Sequence, residues 1–238
     1  MITLHDIEEA IIRLPPADRI ALERWFYRRD IIGRAIVEEV PDDDRVAEPA
    51  AAYKAHAKEG PFTAEEYLAF ELSSEVRHEY VAGQLYAMTG ASRSHNRIAG
   101  NLFNAFSNHL RGRPCEAFMT DFKVRLHAQR SEFLYYPDVM VVCERGNPND
   151  LWTNAPKLII EVLSPSTRNI DEREKRLNYR QIPALEEYAT IPQTRAEVTL
   201  YRRSDDWRPL LLKTTRVSVE FASIGLTVPL AQIFEGAL

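Results

Sequence analysis

The chain has 238 residues, 45% of them hydrophobic and 27% charged, with a formal net charge of −5. That suits a soluble globular protein of one large domain, or of one medium domain and a small one, and no apolar run approaches the roughly 18 residues of a membrane-spanning helix. Cys115 and Cys143 form no CxxC pair, which excludes a cysteine-rich zinc module and a disulfide scaffold and fits a reducing cytoplasm.

The first residues, Met1-Ile2-Thr3-Leu4-His5-Asp6, lack the basic and apolar regions of a signal peptide. Residues 1–45 are expected to form a small helical segment. Leu4, Ile7, Ile11 and Leu14 fall at helical spacing, Pro15-Pro16 stops that helix, and Ile20, Leu22, Trp25 and Phe26 give a second one an apolar side. Residues 46–61, with Pro49, an alanine run and Gly60-Pro61, read as a linker. The acidity is concentrated here. Residues 1–60 hold 9 Lys and Arg against 13 Asp and Glu, whereas residues 61–238 hold 21 against 22. A total of −5 is therefore a poor guide to the surface of the larger part.

The main domain is expected over 62–238. Thr63-Ala64-Glu65-Glu66 is a capping-box pattern ahead of Tyr67, Leu68, Phe70 and Leu72. Residues 78–89 read as two short strands around Gly83, and Ser94 to Leu110 as a helix with Ile98, Leu102, Phe106 and Leu110 every four residues. Strands are expected over Phe118–Leu126, Tyr135–Cys143 and Leu158–Leu163, then a charged helix over Asp171–Gln181. Further strands follow at Val198–Arg202, Pro209–Lys213, Val217–Phe221 and Leu226–Val228, with a last helical turn at Leu230–Phe234. This order predicts an α/β (α+β) fold with a mixed β-sheet flanked by helices.

Glu161 is the most informative residue. It sits inside Leu158-Ile159-Ile160-Glu161-Val162-Leu163, the pattern of a strand buried on both faces. A carboxylate there is costly unless it is paired, hydrogen-bonded or bound to a metal. For Glu161 alone, a metal site is no better an explanation than a buried salt bridge to an arginine or a place on an edge strand. Asp138 opens a second apolar run, Val139-Met140-Val141-Val142, and neighbouring strands would set the two carboxylates side by side. They would then repel unless a cation lay between them, and oxygen ligands suit Mg²⁺ or Mn²⁺. For Asp138 alone, a cap at the start of a strand explains the residue as well. Beyond Pro165 come Arg168, Arg173, Lys175, Arg176 and Arg180, most of which read as a solvated helix face with pairs such as Asp171 and Lys175.

Several of these segments together resemble the Uma2 family (DUF820), restriction-endonuclease-like proteins of the PD-(D/E)XK nuclease superfamily. They are Arg77-His78-Glu79-Tyr80-Val81-Ala82-Gly83-Gln84-Leu85, the helix from His95, Tyr136-Pro137-Asp138-Val139, and Glu161-Val162-Leu163-Ser164-Pro165-Ser166-Thr167 with the Asp171-Glu172-Arg173-Glu174-Lys175 helix. The resemblance implies a restriction-endonuclease-like core acting on DNA with Mg²⁺ or Mn²⁺. It assigns Asp138 and Glu161 as metal ligands, and Asp138, Glu161, Lys175 and Glu79 as the catalytic set. Leu163 stands where the superfamily usually has lysine, and the resemblance supplies the ammonium from the next helix as Lys175. It places His95 at the rim of the site, with Arg93, Arg97, Arg168 and Arg173 as contacts to nucleic-acid phosphates.

One departure stands out. The stretch Leu185-Glu186-Glu187-Tyr188-Ala189-Thr190-Ile191-Pro192 lacks the family's Trp and Asp, and Pro192 argues against a central strand there. The alternative is therefore a catalytically weak or inactive nuclease-fold protein that binds DNA or protein. The partners expected are DNA, a second copy in a homodimer, and a partner protein for the N-terminal segment, which looks slightly like helices of addiction-module antitoxins. No membrane association is expected, and the expected compartment is the cytoplasm.

Overall fold

A computed structural model describes residues 61–88, 90–128, 130–164 and 174–238. The expected N-terminal helical segment, the linker apart from Pro61, and Arg168 and Arg173 lie outside the described residues.

The capping box forms as the sequence predicts. Thr63 accepts from the Glu66 amide at 3.2 Å, and the Glu66 carboxylate accepts from the Thr63 amide at 2.8 Å. This starts α1 (Ala64–Glu71), which buries Ala64 and Tyr67. The hairpin β1 (His78–Val81) and β2 (Gln84–Ala87) turns at Ala82 and Gly83, with φ of 48° and 92°. A Cβ on Gly83 would lie 2.7 Å from the Pro61 side chain, so both the turn and the packing require glycine there. Next comes α2 (Arg93–Leu110), capped by Ser92, which buries Ile98, Ala99, Leu102, Phe106 and Leu110 as one stripe.

The remaining elements build two mixed sheets. The larger has the order β11-β10-β9-β8-β6-β3, from β3 (Glu116–Met119), β6 (Val139–Val142), β8 (Pro156–Leu163), β9 (Glu187–Pro192), β10 (Glu197–Arg202) and β11 (Pro209–Lys213). The smaller has the order β2-β1-β5-β4-β7, adding β4 (Lys123–Ala128), β5 (Ser131–Tyr135) and β7 (Trp152–Thr153). A closing hairpin, β12 (Ser218–Phe221) with β13 (Leu226–Pro229), leads into α4 (Leu230–Ile233). The α+β class is as expected, with a second sheet beside the mixed sheet.

Alternation along β8 divides the core. Leu158, Ile160 and Val162 pack with Ile98, Leu102 and Phe106 of α2, whereas Ile159 packs with Tyr135, Tyr179 and Tyr188 on the other side. Strands β8 and β9 run parallel. Such a pair needs a crossover connection, and α3 (Arg176–Tyr179) lies within it, entered through a wider π-type turn at Glu174 and Lys175.

Three expectations are corrected. The strand read over Phe118–Leu126 is two strands of different sheets, separated around Thr120, whose φ is 50°. The stretch ending at Pro192 is a central strand, every residue of β9 being buried. Pro192 is its last residue, and the Gln193 amide continues the ladder by donating to the Leu163 carbonyl at 3.2 Å. The cysteines, read as fitting a reducing compartment, form a disulfide. Glu116 pairs with Val142 in the antiparallel β3–β6 ladder, and one further step along that register sets Cys115 opposite Cys143.

Candidate active site

The carboxylate pair follows from the β6–β8 register. Val139 pairs with Ile160, and one more step sets Asp138 opposite Glu161. Residues directly opposite in an antiparallel pair share a face, and parity puts both on the side of Met140 and Ile159, between the two sheets. Asp138 stands where the strand begins. Its Oδ2 accepts from the Val162 amide at 2.7 Å, and its Oδ1 lies 2.8 Å from His95 Nε2. Strand capping and pairing with Glu161 are thus one arrangement.

Glu161 is 2% exposed. Its Oε1 accepts from the Tyr179 hydroxyl at 2.8 Å and lies 3.5 Å from Lys175 Nζ. The ammonium approaches Glu79 Oε1 more closely, at 2.8 Å, and sits 5.4 Å from the centre of the Tyr135 ring. Glu79 comes from β1, and its Oε1 also accepts from the Tyr136 amide at 3.2 Å. Around the lysine, the Tyr135 hydroxyl donates to Glu174 at 3.3 Å and accepts from the Asn178 amide at 2.8 Å. Burial pushes the Tyr179 hydroxyl well above the usual tyrosine range, and the Glu161 charge adds to this. Burial does the same for Tyr135, with Glu174 adding. Both phenols therefore stay protonated and keep donating to carboxylates at working pH.

Asp138, Glu161, Lys175, Glu79 and His95 come together in this way. Arg93 and Arg97 do not join them. His95 shares the inner face of α2 with Ile98 and Leu102, while Arg93 and Arg97 line a groove of about 390 Å³ on its outer face, with Asn96 and Asn104. Tyr179 and Asn178 were missed by sequence reasoning. On a charged helix they look like ordinary core residues, and only their spacing from Lys175, three and four residues on, marks them as its neighbours on the buried face.

The donor chemistry suits a hard cation. Asp138 and Glu161 offer only oxygen, and each Asp138 oxygen carries one hydrogen bond and keeps a second lone pair. Among the described residues no three His, Cys, Asp or Glu side chains converge as a metal-binding group.

Residues 64–231 match the family model described as "Uma2: Putative restriction endonuclease". The chain is 36% identical over 187 residues to the uncharacterized protein slr1290 of Synechocystis sp. (strain ATCC 27184 / PCC 6803 / Kazusa), covering 76% of this chain and 97% of that protein. It is also 36% identical over 165 residues to the uncharacterized protein sll1609 of the same organism, covering 67% of this chain and 92% of the relative. Its fold is similar to the crystal structure of a "putative nuclease belonging to DUF820" from Anabaena variabilis ATCC 29413. The TM-score is 0.63 at 18% identity, over 75% of this chain and all of that one.

Proposed function

The chain belongs to the Uma2 family, and from that premise we propose that it is a Mg²⁺- or Mn²⁺-dependent endonuclease that hydrolyses DNA phosphodiester bonds. The observation that carries this is Lys175 held between Glu79 and Glu161, one strand from Asp138. Asp138 and Glu161 would hold the cation, which when bound polarises a phosphoryl oxygen and makes a water more acidic. His95 fixes the orientation of Asp138. Tyr179 fixes Glu161 by occupying one side of Oε1. Lys175 presents a positive charge that can orient the attacking water or offset charge building on phosphorus. Glu79 anchors the ammonium at 2.8 Å and sets how far it reaches.

The test is nicking of supercoiled plasmid in Mg²⁺ or Mn²⁺ by the wild type, Glu161→Gln and Lys175→Met. The wild type is expected to cleave, and each variant to be slower by about 10²–10³-fold, the usual scale for losing one group that stabilises transition-state charge. Equal rates in all three, or no cleavage by the wild type under any condition, overturns the reading.

A second reading, a nuclease-fold module that binds without turnover, is favoured by one observation. Among the described residues no third His, Cys, Asp or Glu joins the acidic pair as a metal-binding group. It predicts DNA binding that needs no metal and survives Asp138→Asn, with no nicking.

A further inference from the structure

Beside the candidate site, Arg176 on α3 and Arg180 just past its end point to no carboxylate among the described residues. Lys175 and Tyr179 turn toward Glu161. Arg176 and Arg180, each one residue further along, lie on the adjoining flank and face aromatic rings of the β10 region. The Arg176 guanidinium is 5.1 Å from the Tyr201 ring centre, and the Arg180 guanidinium 5.9 Å from that of Trp207. Arg203 approaches the same indole at 5.1 Å. Two guanidiniums therefore share one ring. Among the described residues none of the three arginines has an ion-pair partner, although Asp205 and Asp206 lie in the same turn. Arg203 donates instead to the carbonyls of Leu185 and Ile182. Among the described residues, Arg176 Nε is buried without an acceptor.

The backbone is bent to build this arrangement. Asp206 and Trp207 adopt φ of 48° and 59°, a conformation unfavourable for a residue as large as tryptophan. The turn closes by hydrogen bonds from Asp206 to Arg203 and from Trp207 to Arg202, and it folds the indole inward to 9% exposure. A guanidinium beside an aromatic ring can bond sideways through the edge N–H groups it has left, and it loses little entropy on doing so; in Arg203 the bonds to Leu185 and Ile182 fix the side chain in place. Adjacent like charges repel unless an anion lies among them. Phosphates match all of these demands, since guanidinium forks bind them bidentately.

We propose that Arg176, Arg180 and Arg203, backed by Tyr201 and Trp207, form a platform for the sugar–phosphate backbone of the substrate strand, away from the phosphate that is cut. The proposal rests on the nuclease reading above and says where the rest of that substrate lies. Rings link the two places. Tyr201 stacks on Tyr188 at 5.9 Å, and Tyr188 meets Tyr179, the residue bonded to Glu161, at 5.5 Å.

The test compares full-length wild type with Arg176→Gln/Arg180→Gln, which keeps the side-chain stems. Binding of a 20-base-pair DNA is followed by fluorescence anisotropy from 50 to 200 mM salt in Ca²⁺. Hydrolysis of bis(p-nitrophenyl) phosphate, a phosphodiester too small to reach the platform, is followed in Mn²⁺. The double variant is expected to bind the duplex at least tenfold more weakly, with a slope of log affinity against log salt reduced by about 1.8, two lost phosphate contacts at about 0.9 each. Its rate on the small diester stays that of the wild type. Unchanged duplex binding and slope, with wild-type turnover intact, overturns the platform and leaves the nuclease reading standing. Equal losses on duplex and small diester also overturn it, because the arginines would then act through the catalytic groups. A wild type that neither hydrolyses the diester nor binds DNA overturns both. Should the double variant fail to fold, Arg203→Gln, at an exposed position, is tested by the same criteria.

Discussion

Two lysines of this protein are equally buried, each 6% exposed, in opposite circumstances. Lys175 has Glu79 and Glu161 beside it. Lys123 has the face of Tyr136, 5.0 Å from its Nζ, and among the described residues no hydrogen-bonded carboxylate. Burial pushes the Lys123 ammonium below the usual lysine value, with Glu71 partly offsetting this. A base whose folded pKa is depressed is destabilising while charged. Between its folded value and about 10.5 the unfolded chain holds more protons, so stability from this site rises with pH across that window. Lys123→Met is therefore expected to be more stable than wild type at pH 7, by on the order of 1 kcal/mol. The difference should shrink as pH is raised toward 10.5. Urea denaturation of both proteins at pH 7 and pH 10 checks this, and a variant less stable at pH 7 contradicts it. The same contrast sets Lys175 apart. Its charge is held by carboxylates in a fixed place, whereas that of Lys123 is only tolerated.

At the scale of elements, the local signals are the ones that could be read. The Thr63 capping box, the Gly83 hairpin and the four-residue repeat of α2 are short-range patterns, and all three form as their residues dictate. Thr63→Ala is expected to lower stability by about 1 kcal/mol through loss of the bond to the Glu66 amide, seen as a lower urea midpoint with an unchanged slope. The acid pair was also legible, because a carboxylate inside Leu158–Leu163 stands out against its neighbours. Partner choice between strands was not. Phe118–Leu126 alternates throughout, and nothing local says that its halves pair with β6 and with β5 in different sheets. Pro192 misled for a related reason. A proline excludes a central strand only where its missing N–H is needed, and at the end of β9 it is not. Tyr179 was invisible because its value lies in a contact to another element, Glu161 on β8.

Across the whole molecule, charge and cross-linking are distributed unevenly. The net charge of −5 conceals a site and an adjoining arginine cluster where the local balance differs. The Cys115–Cys143 bond spans 28 residues and encloses β3 to β6, including Asp138. Closing a loop of that length constrains the unfolded chain by about 3–4 kcal/mol. Treatment with dithiothreitol is therefore expected to lower the thermal midpoint, and a Cys115→Ser variant to have the same lower midpoint with or without reductant. An unchanged midpoint in the reduced wild type would contradict this. The site itself has a different dependence on the fold. Glu79 is delivered by the smaller sheet, Glu161 by the larger, and Lys175 is anchored to both. The ammonium is thus a clasp across a seam. A nascent or partly opened chain, with its two sheets not yet docked, has both acids of the Asp138–Glu161 ladder but only one of the clasp's two anchors. In such a chain the ammonium lacks the two-sided grip that fixes its position, so this placement of Lys175 exists only where the two sheets have docked.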